Sequence, residues 1–195
     1  MSNGTTDRPG PGWNQLYEIA SAQEGHFTTA QAAEAGYSPQ LLVKYLKSGR
    51  VERLRRGIYR LTHFPPSDHE DLVVLWLWSD RVGVFSHETA LALHQLSDVL
   101  PAKVHLTVPC SWKTRRLQVP TEVVLHLADL PDDARTWVGA VVVTSPARTV
   151  VDCAAAHLSP EIVEQAIAQG LHRGVFTEGM VEPAVAYLQA GDENG

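Results

Sequence analysis

The feature that most constrains the fold is a stretch of 37 residues, 25–61, in which helix-starting and helix-ending residues follow one another closely. Thr28 stands three residues before Gln31, which is the spacing of a capping box, in which each side chain bonds the other residue's backbone N–H. Gly36 suits the left-handed conformation that ends many helices. The pattern predicts a short helix between Thr28 and Gly36.

A second helix is predicted directly afterwards. Ser38 is a favoured N-cap, Pro39 fits the first helical position because the N–H that it lacks would be unpaired there, and Gly49 ends the helix. At helical spacing its residues divide into two faces. The apolar face consists of Leu41, Leu42, Tyr45 and Leu46, and the opposite face of Gln40, Val43, Lys44 and Lys47. We expect the apolar face to pack on the preceding helices and the opposite face to meet a partner.

A basic hairpin, residues 51–61, follows this helix, and an apolar stripe from about Trp13 to Gln23 predicts another helix before the pair. Three helices and a hairpin in this order predict a winged helix-turn-helix over residues 13–62. Proteins built this way usually place the second capped helix in a DNA groove and the hairpin, or wing, against the DNA backbone.

Positive charge is concentrated in this predicted unit, although the chain as a whole carries a net charge of −6. Between residues 44 and 60, seven basic residues accompany one acid, Glu52. Residues 1–66 carry a net charge of +3 and the remaining 129 residues carry −9. A local basic face can neutralise several phosphates even on an acidic protein. The plainer alternative is an ordinary solvated surface, but caps, apolar stripe, hairpin and charge agree with one another and favour DNA binding.

These considerations assign roles to individual side chains. Gln40, at the start of the second helix, is expected to read a base edge, since glutamine can bond adenine in a bidentate way. Lys44 and Lys47 are expected to read guanine or to hold phosphate. The wing is expected to lie on the backbone or in the minor groove through four arginines. These are Arg53, Arg55, Arg56 and Arg60.

Length and composition set the outer bounds. The 195 residues, of which 44% are hydrophobic, fit one large domain or two small ones. Cys110 and Cys153 indicate two reduced thiols rather than a disulfide framework or a zinc site. Residues 1–12 lack the apolar core of a signal peptide and predict a disordered tail. Because no apolar run has the length of a membrane span, we expect a soluble, cytoplasmic protein.

After a break at residues 62–66, residues 67–190 predict a small α+β domain. The fold class is therefore α+β, with an N-terminal winged helix-turn-helix followed by a small α+β C-terminal domain. The predicted strands are Val104–Val108, Val123–Leu127 and Ala140–Val143, and three helices are predicted to start near Pro146, Pro160 and Glu178. Arg148 and Asp152 are four residues apart on a predicted helix, the spacing of an ordinary ion pair.

Two further helix starts are predicted near the beginning of this domain. Ser67 and Glu70 have the spacing of a second capping box, which predicts a helix through about Ser79. Ser86 is expected to cap a helix from His87 to about Gln95.

Motifs of catalysis are absent from the sequence. A restriction-like nuclease needs an acidic residue two positions before a lysine, but the residues two positions before the four lysines are Leu42, Tyr45, Pro101 and Ser111. His87-Glu88 begins like a zinc-protease helix, yet Leu91 stands where the second histidine is required. There is no G-x-S-x-G elbow and no Gly-rich phosphate loop. The nine histidines lack ligand spacing, so we expect no enzyme, no cofactor and no metal site.

In the order of its motifs, the chain resembles the AbiEi family of antitoxins from type IV toxin–antitoxin systems. The first part of the resemblance is the predicted winged helix. The similar segments are residues 29–36 (TAQAAEAG), 54–61 (LRRGIYRL), 86–94 (SHETALALH), 104–109 (VHLTVP) and 144–152 (TSPARTVVD).

The resemblance implies that the winged helix binds repeats in its own promoter and represses an operon encoding antitoxin and toxin. It further implies that the second domain counters the toxin, in this family a nucleotidyltransferase-like enzyme, by direct or indirect antagonism. The alternative is a plain winged-helix transcription factor whose C-terminal domain dimerises or binds a small effector. The expected partners are double-stranded DNA, this toxin and a second copy of the chain in a homodimer, without a membrane.

Overall fold

The computed structural model of the chain describes residues 12–192. The predicted tail, residues 1–12, therefore lies outside the described residues except for Gly12. Internal contacts divide the chain into two compact units, Met1–Arg81 and Val82–Gly195. Among the described helices, none has the length and apolar character needed to cross a membrane. The predicted α+β fold class, with an N-terminal winged helix-turn-helix, is confirmed.

In its described part, residues 12–81, the first unit contains four helices and a three-stranded sheet. Its elements are α1 (Trp13–Ser21), β1 (His26–Thr28), α2 (Thr29–Glu34), α3 (Pro39–Lys47), β2 (Val51–Arg55), β3 (Ile58–Leu61) and α4 (Glu70–Trp78). The strand order is β1-β3-β2, and both pairings are antiparallel. One apolar cluster joins the helices to the sheet. It consists of Leu16, Ala20, Phe27, Ala32, Ala35, Tyr37, Leu42, Val51, Tyr59 and Leu61.

A buried pair of amide side chains holds the start of α2. The predicted capping box is present, because the Gln31 backbone N–H donates to Thr28 Oγ1 (3.2 Å) and the Thr28 N–H donates to Gln31 Oε1 (2.9 Å). Gln31 also exchanges two hydrogen bonds with the amide of Gln23, of 2.9 and 3.2 Å. Gln23 Nε2 further donates to the carbonyl of His26 in β1. Both glutamines are buried, so this network satisfies groups that water cannot reach.

Helix α4 belongs to the first unit, since it packs against β1 and β3. The sequence assigned this helix to the second part, after the proline break. Its predicted capping box is only half formed: the Ser67 N–H donates to Glu70 Oε1 (3.3 Å), but Ser67 Oγ donates to the carboxylate of Glu24. The helix therefore begins at Glu70 without a side-chain cap.

The second unit is a five-stranded mixed sheet with helices. Its elements are β4 (Val84–Phe85), α5 (His87–His94), β5 (Val104–Val108), β6 (Val123–Leu127), β7 (Arg135–Val138), β8 (Val141–Thr144), α6 (Pro146–Ala155), α7 (Pro160–His172) and α8 (Glu178–Asp192). The strand order is β6-β5-β4-β8-β7. Pairs β5–β6 and β4–β8 are parallel, and pairs β4–β5 and β7–β8 are antiparallel. The three helix starts predicted at prolines and at Glu178 agree with the structure.

Ser86 stands at the predicted N-cap position of α5, but its side chain makes no cap hydrogen bond. Its buried hydroxyl accepts a hydrogen bond from Thr107 Oγ1 in β5 (2.7 Å) and lies 2.9 Å from Nδ1 of His87. A long-range partner has replaced the local one. The predicted ion pair between Arg148 and Asp152 is present, with Nε and Oδ1 2.7 Å apart.

An apolar cluster lies between α5, α6, α7 and α8. Its buried members are Leu91, Leu96, Ala147, Val150, Cys153, Ala154, Val163, Ala166, Phe176, Val181 and Ala184. Gly170 in α7 lies directly against the ring of Phe176, so that a Cβ at this position would overlap the ring. The close approach of α7 to the segment before α8 therefore requires glycine.

Replacing Gln31 with alanine should lower the free energy of unfolding by about 2–3 kcal/mol, because the bond from the Thr28 N–H to the Gln31 side chain is lost and the Gln23 amide is left buried without its partner. Urea denaturation followed by circular dichroism measures this change. The matched control is Gln40→Ala on exposed α3, which should change stability by less than about 0.5 kcal/mol. Equal stabilities of the two variants would contradict the role assigned to the amide pair.

Replacing Gly170 with alanine should destabilise the protein by about 1–3 kcal/mol, because the ring of Phe176 must move in a packed core. An alanine in a helix otherwise favours folding over glycine by about 0.5–1 kcal/mol. Gly179, in the first turn of α8, has no atom within 4 Å of an added Cβ and supplies the control. Thermal denaturation should show Gly170→Ala below and Gly179→Ala at or above the wild-type midpoint; the same shift in both variants would contradict the close approach.

Candidate nucleic-acid interface

The outer face of α3 carries the side chains predicted to meet DNA. Gln40, Val43, Lys44 and Lys47 are exposed, whereas Leu42 on the opposite face is buried in the core. The helix begins as predicted, since Ser38 Oγ accepts a hydrogen bond from the backbone N–H of Leu41 (3.2 Å) and Pro39 occupies the first turn. The polar face is thus set by the burial of the apolar one.

Aromatic contacts fix the last turns of α3. The ring of Tyr45 stacks on Trp13 of α1 at a centroid distance of 6.3 Å and meets Tyr37 edge-on at 5.5 Å. The guanidinium of Arg50 also lies over the Tyr45 ring, 5.2 Å from its centre. Burial and the neighbouring Tyr45 hydroxyl raise the pKa of Tyr37 to about 12, so Tyr37 is a neutral phenol at neutral pH.

The turn of the hairpin β2–β3 is hydrogen-bonded to α2, and strand β2 contains a bulge. Gly57 has φ +81°, a left-handed conformation that favours glycine, and its carbonyl accepts hydrogen bonds from both N and Oγ1 of Thr29 in α2. A bulge between Arg53 and Arg55 shifts the register with β3. The side chain of Leu54 in this bulge is 41% exposed. The tip of the wing is therefore held against the start of α2, and one apolar side chain of the hairpin, Leu54, is exposed.

The arginines of the wing differ in their surroundings. Arg53 and Arg56 are exposed, and Arg55 is half-buried. Arg53 Nε donates to the backbone carbonyl of Arg55 (3.3 Å), which orients the Arg53 side chain along the strand.

Arg60 differs from the sequence-based expectation, because it is buried and bound within the unit. Its Nε and Nη2 donate to the same carboxylate oxygen of Glu70, at 3.1 and 2.7 Å. Nη2 also donates to the Phe64 carbonyl (2.9 Å), and Nη1 lies 3.4 Å from Glu52 Oε1. Arg60 thus joins β3 to the start of α4, and the assignment of this residue to phosphate contact is corrected.

Exposed positive charge remains on both elements of the predicted interface. Five basic residues of α3 and the hairpin region have exposed side chains: Lys44, Lys47, Arg50, Arg53 and Arg56. Arg50 and Leu54 were not among the predicted contact residues. Arg50 is positioned by its contact with Tyr45 and Leu54 by the bulge, and the local sequence pattern reveals neither feature.

A cavity of about 480 Å³ opens beside this face in the first unit. Its lining residues are Trp13, Tyr17, Tyr45, Arg50, Leu61, His63 and Phe64. The lining is mainly aromatic and also contains one arginine and one histidine.

Comparison with known proteins bears on the first unit. Residues 14–62 match the family model described as "Transcriptional regulator, AbiEi antitoxin", and this range covers α1, α2, α3 and the wing. No curated protein matches the chain. Among solved structures, the crystal structure of the RV2827C protein from Mycobacterium tuberculosis is similar with a TM-score of 0.47 and 17% sequence identity. That alignment covers 94% of this chain and 82% of the other, and similarity at this level carries no information about activity.

The predicted resemblance is thus confirmed over the segment that carries the exposed face of α3 and the wing. Residues 14–62, 49 of the 195 residues, are similar to the family of transcriptional regulators described as AbiEi antitoxins.

Proposed function

We propose that the chain binds double-stranded operator DNA through α3 and the wing and thereby regulates transcription. The observation that carries this proposal is the joint exposure of Gln40, Lys44 and Lys47 on α3 with Arg53 and Arg56 on the wing, within a family domain of transcriptional regulators. Phosphate neutralisation supplies most of the affinity in such interfaces, and base contacts supply the specificity.

The proposed roles follow from position on α3. Gln40 is the second residue of the helix, and N-terminal residues of recognition helices are the ones that reach base edges in the major groove. An amide there can donate to and accept from adenine in a bidentate way. Lys44 lies one turn further along the same face and Lys47 one turn beyond it, where both reach guanine or phosphate.

The wing would hold the backbone. Exposed Arg53 and Arg56 would contact phosphate or enter the minor groove, and the exposed Leu54 in the bulge offers an apolar contact to the sugar edge. Arg55 would also contact DNA, but it would contribute less contact area than Arg53 and Arg56 because its side chain is half-buried. Binding to operator repeats would pair two copies of the chain as a homodimer, since helix-turn-helix dimers read half-sites about one helical turn apart.

Removing wing charge should weaken the salt dependence of DNA binding. With about five phosphates neutralised by the five exposed basic residues, log affinity should fall against log salt with a slope of about −4 to −5. In the Arg53→Ala/Arg56→Ala variant the slope should flatten by about 2, because two counterions fewer are released. Fluorescence anisotropy with a labelled duplex from the upstream region of the gene, over a series of salt concentrations, measures both slopes.

The matched control is Lys113→Ala/Arg116→Ala, which removes two exposed positive charges from the second unit. Net charge changes equally in both double variants, so a general electrostatic effect would alter both slopes alike. The proposal requires a flatter slope in the wing variant alone. An unchanged slope in the wing variant would remove the wing from the interface.

We further propose that the chain represses its own toxin–antitoxin operon and counters a nucleotidyltransferase-like toxin encoded beside it. The family description of residues 14–62, which couples regulator and antitoxin, supports this role. Under the alternative, a plain transcription factor, the second unit would only dimerise or bind an effector. A neighbouring gene for a nucleotidyltransferase-like protein would favour the antitoxin, and its absence would favour the plain transcription factor.

Rescue from the toxin separates repression from antagonism. The full chain, expressed from an independent promoter, should restore growth to cells that express the adjacent toxin gene. The Arg53→Ala/Arg56→Ala variant should lose repression of a promoter fusion. It should still restore growth as well as the wild-type chain, because antagonism of the toxin does not require operator binding. Growth arrest with the full chain present would refute the antitoxin role and leave the plain regulator.

A further inference from the structure

Three histidines from separate elements of the second unit meet at one point. His87 is the first residue of α5, His105 lies in β5 and His126 lies in β6. One ring nitrogen of each lies within 4.8 Å of a ring nitrogen of the other two. All three side chains are half-buried, so the group is accessible without being freely solvated. Metal-binding spacing was absent from the sequence because the ligating residues are 18 and 21 positions apart.

The register of the sheet brings two of these side chains together. In the parallel pair β5–β6, His105 is opposite Val124 and Thr107 is opposite His126. Because alternate residues of a strand share a face, His105 and His126 lie on the same face of the sheet, offset along the strands. Nδ1 of His105 is 3.0 Å from Nε2 of His126.

The third ring, that of His87, is supplied by the first residue of α5. The ring of His87 stacks on that of His126 with centroids 3.6 Å apart, and its centroid is 5.6 Å from that of His105. His87 has φ +51°, a left-handed conformation that costs energy in a non-glycine residue. Backbone strain of this kind persists where surrounding contacts fix the residue, and it is concentrated at functional sites.

Two of the rings also have polar groups outside the cluster near one of their nitrogens. Ser86 Oγ lies 2.9 Å from Nδ1 of His87 and is itself held by Thr107. Glu88 Oε2 lies 3.7 Å from Nε2 of His105, whose Nδ1 faces His126. A carboxylate near the second ring nitrogen, as Glu88 is near His105, is a common feature of histidines that bind metal ions.

The chemical state of the rings fits the same use. Burial, together with the two neighbouring imidazoles, lowers the pKa of His87 to about 3, and burial also lowers the pKa of His105 and of His126. Neutral imidazole is the form of histidine that binds metal ions. The positive charge of Arg148, which is paired with Asp152, also lowers the pKa of His87.

We propose that His87, His105 and His126 form a site for a divalent transition-metal ion, with Zn²⁺ as the preferred occupant. Three neutral nitrogen donors are the set that zinc, copper and nickel favour over magnesium or calcium. Three protein ligands leave a further coordination position for water or for an anionic group of a partner. His94 is not part of the site, because its Nε2 lies 2.7 Å from the Thr144 carbonyl.

The direct test is zinc binding by the full chain after removal of metal with a chelator. Competition with a chromophoric zinc indicator should give one Zn²⁺ per chain, and Mg²⁺ in excess should not displace it. The variant His126→Asn should bind Zn²⁺ at least about 100-fold more weakly, and Glu88→Gln about 10-fold more weakly, because Glu88 orients a ligand. The exposed His172 supplies the matched control: His172→Asn should bind like wild type.

Far-UV circular dichroism shows whether each variant is folded. A second test uses only the wild-type chain and measures the absorption of bound Co²⁺. Co²⁺ in place of Zn²⁺ should give the visible absorption of a low-coordinate, nitrogen-ligated ion, which added Zn²⁺ abolishes. The proposal is overturned if the wild-type chain binds no Zn²⁺ in a saturable way. It is equally overturned if Co²⁺ gives only the weak absorption of a six-coordinate aqueous ion, or if a folded His126→Asn variant binds as tightly as His172→Asn.

Discussion

The exposed face of α3 depends on the buried amide pair of Gln23 and Gln31. Gln31 caps the first turn of α2, and its amide exchanges hydrogen bonds with Gln23, which also bonds the carbonyl of His26 in β1. The pair therefore ties the end of α1, strand β1 and helix α2 into one rigid corner. Helix α3 follows α2 after a four-residue connection and packs on the same core, so its outward face is fixed by this corner. The Thr29 bonds to Gly57 extend the same constraint to the wing.

Much of this arrangement could be predicted, because the signals that set it are local. The sequence predicted the cap of α2 and the start of α3 at Ser38 and Pro39. It also predicted the starts of α6, α7 and α8, because each start depends on residues within one helical turn. What escaped prediction depends on partners distant in sequence. Arg60 is withdrawn from the surface by Glu70, ten residues away, and Ser86 is bound to Thr107 across 21 positions. Strand β4, of only two residues, has no periodicity to detect.

The histidine cluster shows the same limit most clearly. Each of His87, His105 and His126 looks unremarkable in its own segment, and only the parallel pairing of β5 with β6 and the strained start of α5 unite them. The two units thus offer different chemistry. The first presents exposed cations and an amide on a helix face, suited to DNA, and the second gathers neutral nitrogen donors in a partly shielded place, suited to a metal ion.

The central claim is that α3 reads DNA sequence, and Gln40 is its most specific element. The most direct measurement selects bound duplexes from a randomised library with the wild-type chain and with Gln40→Ala, and compares the preferred bases position by position. The account predicts that the variant loses preference, by about 1–3 kcal/mol, at one base pair of each half-site and keeps the others, since Gln40 would contact one adenine. Identical base preferences for the two proteins would contradict it.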